Sequence, residues 1–187
     1  MAKIIRNKVN NRAENNPKYF EIKRWINENE DYITAEVINL TTGVTCFLDS
    51  RTKERLEWNE SGDTKIISMK NILSMLGSSR GLLKSLSLGI VEFFNTGEVY
   101  SFEEIIATLG LDFAYAPFDY NITNIDGLII DSSLDEFDTF CNKLSIDILL
   151  LVFSRYLYLK SEGEINDKNK ENILSNITGK GYLFENK

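Results

Sequence analysis

The chain has 187 residues, enough for one domain or two small ones with a real hydrophobic core, and with 43% hydrophobic and 26% charged residues it should be mostly globular rather than disordered. It contains no histidine, which removes the commonest general base, the commonest metal ligand and every His-dependent triad. Its net charge of −7 opposes general affinity for nucleic acid.

The positive charge is gathered at the start. Residues 1–24 carry seven cations against two acids, +5, whereas residues 98–147 carry eleven acids against Lys143 alone, −10. Through about Pro17 the chain is polar and lacks a sustained period, so residues 1–18 are expected to form an extended basic arm. Lys3, Ile4, Ile5, Arg6, Lys8 and Arg12 are its candidate partner-binding residues. Two readings of the arm stand: it neutralises nucleic-acid phosphates, or it packs on an acidic neighbour, including the acidic half of another copy. The net charge favours the protein contact, and nucleic acid has a basis only at this arm. No apolar segment follows the basic start, so no secretory signal is expected. The longest apolar run, Ile146 to Phe153, is interrupted by Asp147 and is too short to span a bilayer. These features predict a chain that stays in the cytosol or in a particle assembled there. The Asn-x-Ser/Thr sequons at Asn39, Asn59, Asn121 and Asn176 then count as chance matches.

From Tyr19 the pattern is strand-like, with Tyr19–Trp25 as a first candidate. Ile33–Leu40 alternates, placing Ile33, Ala35, Val37 and Asn39 on one face. Short strands are expected at Val44–Leu48, Arg55–Trp58 and Thr64–Ile67, separated by polar turns. At Ser68 the period changes: this serine can cap a helix carrying Met69, Ile72, Leu73 and Leu76, stopped by Gly77. Gly81–Leu86 predicts a further helical turn or two, and Leu88–Phe94 a returning strand. Beyond the Asn95-Thr96-Gly97 turn the chain reads as helical. Ser101-x-x-Glu104 and Ser133-x-x-Glu136 are capping boxes. The first opens a helix ended by Gly110. Leu111–Gly127 reads as an aromatic, loop-like segment. Ser145 begins the most apolar helix, Ile146 to about Leu159, and Asp167–Ile177 is a last amphipathic helix before Gly179. The predicted class is α+β: residues 19–97 as a small antiparallel β module with two short helices, and residues 98–187 as a helical module.

The chemical motifs are weak. Gly77-Ser78-Ser79-Arg80-Gly81 with Lys84-Ser85 resembles a phosphate loop, but two leucines separate the second glycine from the lysine and a helix precedes it, so a helix–helix turn is expected. Asp119-x-Asn121-x-Thr123 resembles the first ligands of a calcium loop, yet Asn124 and Ile130 stand where glycine and a bidentate glutamate belong. Neighbouring acids such as Glu103/Glu104 and Asp135/Glu136 point about 100° apart on a helix and cannot converge on one substrate. Cys46 and Cys141 are expected to be reduced thiols packed as small hydrophobes. No enzymatic activity, cofactor or metal is expected on these grounds.

Two stretches resemble a group of uncharacterised proteins of tailed phages that infect low-GC Gram-positive bacteria. The first runs from Val37-Ile38-Asn39-Leu40-Thr41, through Glu57-Trp58-Asn59 and Gly62-Asp63-Thr64-Lys65, to Met69–Leu76 and Leu82–Ile90. The second joins Ser133-Leu134-Asp135-Glu136-Phe137 to residues 167–179. Here Glu60-Ser61 replaces the proline usual in that group before the glycine. The resemblance implies a virion-associated structural or assembly protein of head, neck or tail, present in many copies, whose partners are other virion proteins and copies of itself. The competing expectation is a phage-encoded inhibitor or regulator that binds a host protein, as an acidic mimic of nucleic acid.

Overall fold

The computed structural model describes residues 17–50 and 52–184. The arm residues Lys3, Ile4, Ile5, Arg6, Lys8 and Arg12 lie outside the described residues. Pro17, placed within the expected arm, instead opens helix α1 (Pro17–Glu28). The strand expected at Tyr19–Trp25 is therefore helical. Proline suits the first turn of a helix, where its missing N–H costs nothing. Ile22 and Ile26, one turn apart, are buried, while Tyr19 and Trp25 are half-buried beside them.

The β elements follow as β1 (Thr34–Asn39), β2 (Thr45–Leu48), β3 (Arg55–Trp58) and β4 (Thr64–Ser68). Helices α2 (Met69–Ser78) and α3 (Gly81–Lys84) come next, then β5 (Leu88–Phe94). β1 is the centre of a three-stranded antiparallel sheet ordered β4–β1–β5, with a bulge against β5 at Glu36/Val37. β2 and β3 pair as a separate two-stranded ribbon. The alternation in β1 turns Ala35, Val37 and Asn39 inward, with Ile33 just before it. The Trp58 indole N–H donates to the Val37 carbonyl at 2.9 Å and fastens ribbon to sheet. Ser68 caps α2 by accepting the Asn71 N–H; the helix runs one residue past the Gly77 expected to stop it, and Ser79–Arg80 is the turn between α2 and α3.

Asn39 is fully buried and holds this region together. Its Nδ2 donates to the carbonyls of Gly43 (2.7 Å) and Glu60 (3.1 Å). Its Oδ1 accepts from the Thr41 N–H (3.1 Å) and from the hydroxyls of Thr41 (2.7 Å) and Thr45 (3.0 Å). One amide thereby joins the end of β1, the β1–β2 turn and the β3–β4 turn. The two cysteines differ. Cys141 is buried, but Cys46 lies on the outward face of β2 and is exposed, contrary to the expected packing.

The second half contains α4 (Phe102–Thr108), α5 (Asp112–Tyr115), α6 (Ile125–Asp131), α7 (Leu134–Lys143), α8 (Ile146–Glu162) and α9 (Lys168–Thr178). Both capping boxes form, with Ser101–Glu104 opening α4 and Ser133–Glu136 opening α7. The segment expected to be a loop at Leu111–Gly127 is instead helical in pieces: α5, 3-10 turns at Ala116–Phe118 and Ile122–Asn124, then α6. Asp119 and Tyr120, both left-handed, break the run between them. Its buried residues Leu111, Ala114, Tyr115, Phe118, Ile122, Ile125 and Ile129 recur every one to four positions, so one inward face persists through the breaks.

One hydrophobic core runs through both halves. Phe93 of β5 meets Phe102 of α4 with ring centroids 5.5 Å apart. The Ile90 N–H on the open edge of β5 donates to the Tyr115 hydroxyl at 2.5 Å. A Cβ on Gly89 beside it would come within 2.2 Å of Ile122 Cδ1 and 3.0 Å of Leu40 Cδ1, so any side chain there would have to displace the Ile122 side chain. At the far end, buried Lys170 of α9 donates from Nζ to the carbonyls of Ile129 (2.8 Å) and Ile130 (3.1 Å), capping α6.

Candidate functional site

A groove of about 850 Å³ opens where both halves meet. α1 lines it with Tyr19, Lys23 and Ile26; α2 with Leu73 and Leu76; α3 and the residue before it with Lys84 and Arg80. The end of α4 contributes Leu109 and Gly110, α5 contributes Asp112 and Phe113, and Lys143 of α7 closes one side with Leu144 and Ser145. Each element arrives there for a local reason. The inward stripe of α1 leaves Tyr19 and Lys23 at its margin. The Ser79–Arg80 turn between α2 and α3 leaves Arg80 exposed, and Lys84 follows one turn later at the end of α3. Gly110, left-handed at φ +71°, ends α4 where a Cβ would stand 3.3 Å from the Arg80 guanidinium.

The groove has an apolar floor and a cationic rim. Lys23, Arg80 and Lys143 are exposed and Lys84 is half-buried. None of the four forms an ion pair among the described residues. The cations Lys18, Arg55, Lys70, Arg155, Lys160 and Lys168 elsewhere each sit against a carboxylate. Burial, with the Arg80 guanidinium beside it, pushes the Lys84 ammonium below its ordinary value. Lys84 also lies 5.4 Å from the centroid of the Phe113 ring, and Lys23 lies 5.7 Å from that of Tyr19. The single carboxylate of the lining, Asp112, already accepts the Tyr120 hydroxyl. That bond, with burial, lifts the Tyr120 phenol to about 12.

The acids singled out in the sequence lie elsewhere. Glu104 closes its capping box and pairs with Lys18, and the Lys18 bond and the Ser101 N–H hold its carboxyl below the usual range. Asp131, Asp135, Glu136 and Asp138 are exposed around the start of α7. Glu136 accepts from Ser133, and bonds from the Ser133 side chain and backbone lower its carboxyl. Asp119, Asn121 and Thr123 lie in the turn before α6, and among the described residues no group of three or more Cys, Asp or Glu side chains is placed to hold a metal ion. No described helix is long and apolar enough to cross a membrane. Sequence reading missed the groove because Lys23, Arg80, Lys84 and Lys143 belong to separate stretches. The available signals were Lys143, alone among eleven acids, and the Arg80/Lys84 pair inside a rejected phosphate-loop motif. Comparison with protein families, with curated proteins and with solved structures returned no match.

Proposed function

We propose that this chain is a non-enzymatic structural or assembly component of a bacteriophage particle, associated with head, neck or tail and acting through protein–protein contacts. The observation that carries the contact role is the groove. Its four cations lack ion-pair partners among the described residues, its floor is apolar, and aromatic rings flank two of the cations. Apolar anchoring with a charged rim is the chemistry of a protein-binding surface. Its one carboxylate is engaged by Tyr120, which favours adhesion over acid–base work. The phage assignment rests on the resemblance of residues 37–90, 133–137 and 167–179. The exposed acids around the start of α7 favour a second reading, an inhibitor that presents acidic charge to a host protein.

Mass spectrometry of purified particles separates the two. A structural component is found there in stoichiometric amount, and R80E/K84E reduces its incorporation. A protein absent from particles that co-purifies with a host factor instead overturns the structural reading.

A further inference from the structure

We infer that α7 carries a two-fold self-association surface, on which its outward face packs antiparallel against the same face of a second copy. This deepens the proposed contact role by naming one partner. Phe137 and Cys141 turn the inner side of α7 into the core. At about 100° per residue, Asp135, Glu136, Thr139 and Lys143 share the opposite side. Together with Pro117 and Phe140 they line one shallow depression of about 380 Å³. Asp135, Thr139 and Lys143 are exposed, and neither charged member has an ion pair among the described residues.

The spacing is symmetric. Thr139 stands four residues after Asp135 and four before Lys143. A two-fold axis through Thr139 therefore sets each Lys143 opposite the partner's Asp135, about 6 Å along the helix on either side of the axis. Glu136 stays ionised but is turned back onto the Ser133 N–H and hydroxyl, so Asp135 is the carboxylate of this face placed to meet the partner's Lys143. The helix dipole favours acids in the first turn and lysine in the last on any helix. It does not set equal spacing about a small residue on one face. Thr139 is small enough for the two helices to approach, and Phe140 and Pro117 add apolar contact beside the axis. A contact that uses one surface twice closes at two copies. Exposed ion pairs are individually weak and screened by salt, so the dimer depends on ionic strength and on local concentration.

Sedimentation velocity of the full chain, from low to high micromolar, tests this. At low salt the protein should dimerise, and molar salt should dissociate it. K143E and D135K should each weaken dimerisation roughly tenfold or more, since each sets like charges against one another twice. The double variant D135K/K143E restores opposite charges across the axis and should dimerise again. In a C46S background, T139C should form a disulfide-linked dimer on mild oxidation, a readout independent of charge. A wild-type chain that stays monomeric throughout overturns the inference, as does a folded double variant that fails to dimerise. Neither result touches the particle assay, so the proposed function stands or falls separately.

Discussion

The Asn39→Ala substitution probes the polar centre of the β half. The side chain makes five hydrogen bonds while fully buried. The Thr41 and Thr45 hydroxyls, 3.1 Å apart, can turn to one another, so their loss is partly recovered. The Gly43 carbonyl keeps only a longer contact from the Thr41 hydroxyl (3.4 Å) and the Glu60 carbonyl its bond from the Asp63 N–H (3.2 Å), so the three bonds from the amide to Gly43, Glu60 and the Thr41 N–H are lost without a new partner. At about 1 kcal/mol for each unreplaced neutral bond, the expected loss is about 3 kcal/mol. For a chain of this size that lowers Tm by about 6–12 °C. Urea denaturation followed by circular dichroism at pH 7 measures it, with the midpoint shifted and the slope unchanged. A loss below about 1 kcal/mol would mean that water replaces the amide freely, and would refute the account of Asn39 as the tie between three segments. Asn39→Asp sharpens the test. It exchanges a donor for an acceptor facing two carbonyl oxygens, so the introduced carboxyl should have a raised value in the folded chain. The added destabilisation should grow as pH rises above the unfolded carboxyl value of about 3.9, and should lessen in acid, where the protonated group can donate one bond.

Lys170→Met should cost about 2–3 kcal/mol by leaving the Ile129 and Ile130 carbonyls without their charged donor. A variant as stable as the parent in thermal unfolding would show that burying the ammonium costs as much as its bonds return. Burial raises the Glu171 carboxyl, but bonds from Lys160 and Lys168 outweigh it and hold the group below its ordinary value. Its contribution should be complete above an unfolded value of about 4.3 and lost as pH falls through the lower folded value, so E171Q should flatten the acid limb of the stability–pH curve. An unaltered limb counts against this pairing. Burial, with Asp138 nearby, pushes the Cys141 thiol up to about 12, whereas Cys46 is exposed. A disulfide reagent should therefore titrate one thiol in the native protein and the second only after unfolding, and rapid reaction of both would contradict the buried placement.

Much of the fold is legible because it is set by neighbours in sequence. The alternation of Ile33, Ala35, Val37 and Asn39 marks an inward face, and Ser68, Ser101 and Ser133 announce helix starts by the bonds their side chains can accept. The errors share one cause. Tyr19, Phe20 and Trp25 favour strands by residue type, and so do the aromatic residues between Leu111 and Gly127. In both places the helical spacing of the buried set overrides that preference. Ile22 and Ile26 carried that signal in α1; Leu111, Ala114, Phe118, Ile122, Ile125 and Ile129 carried it in the second segment. The groove is different in kind. Arg80 meets Gly110 through packing between the halves, and Lys143, more than thirty residues further along, joins the same lining from α7, which no local period encodes. The α7 face lies between these cases, since the spacing of Asp135, Thr139 and Lys143 can be read directly from the sequence.

The covering of β5 by the second half has a consequence during translation. The Ile90 N–H finds its acceptor on Tyr115, 25 residues further along the chain, and Ile122, which covers Gly89, comes later still. At roughly 5–20 residues per second, about 1–5 s separate synthesis of the strand edge from synthesis of that acceptor. A chain that ends within that interval holds all three strands of the sheet, and once free it presents one edge open to pairing with another chain. Chains released before Tyr115 is made should therefore aggregate or be held by chaperones, and the complete chain, with Tyr115 and Ile122 in place over β5, should escape both fates.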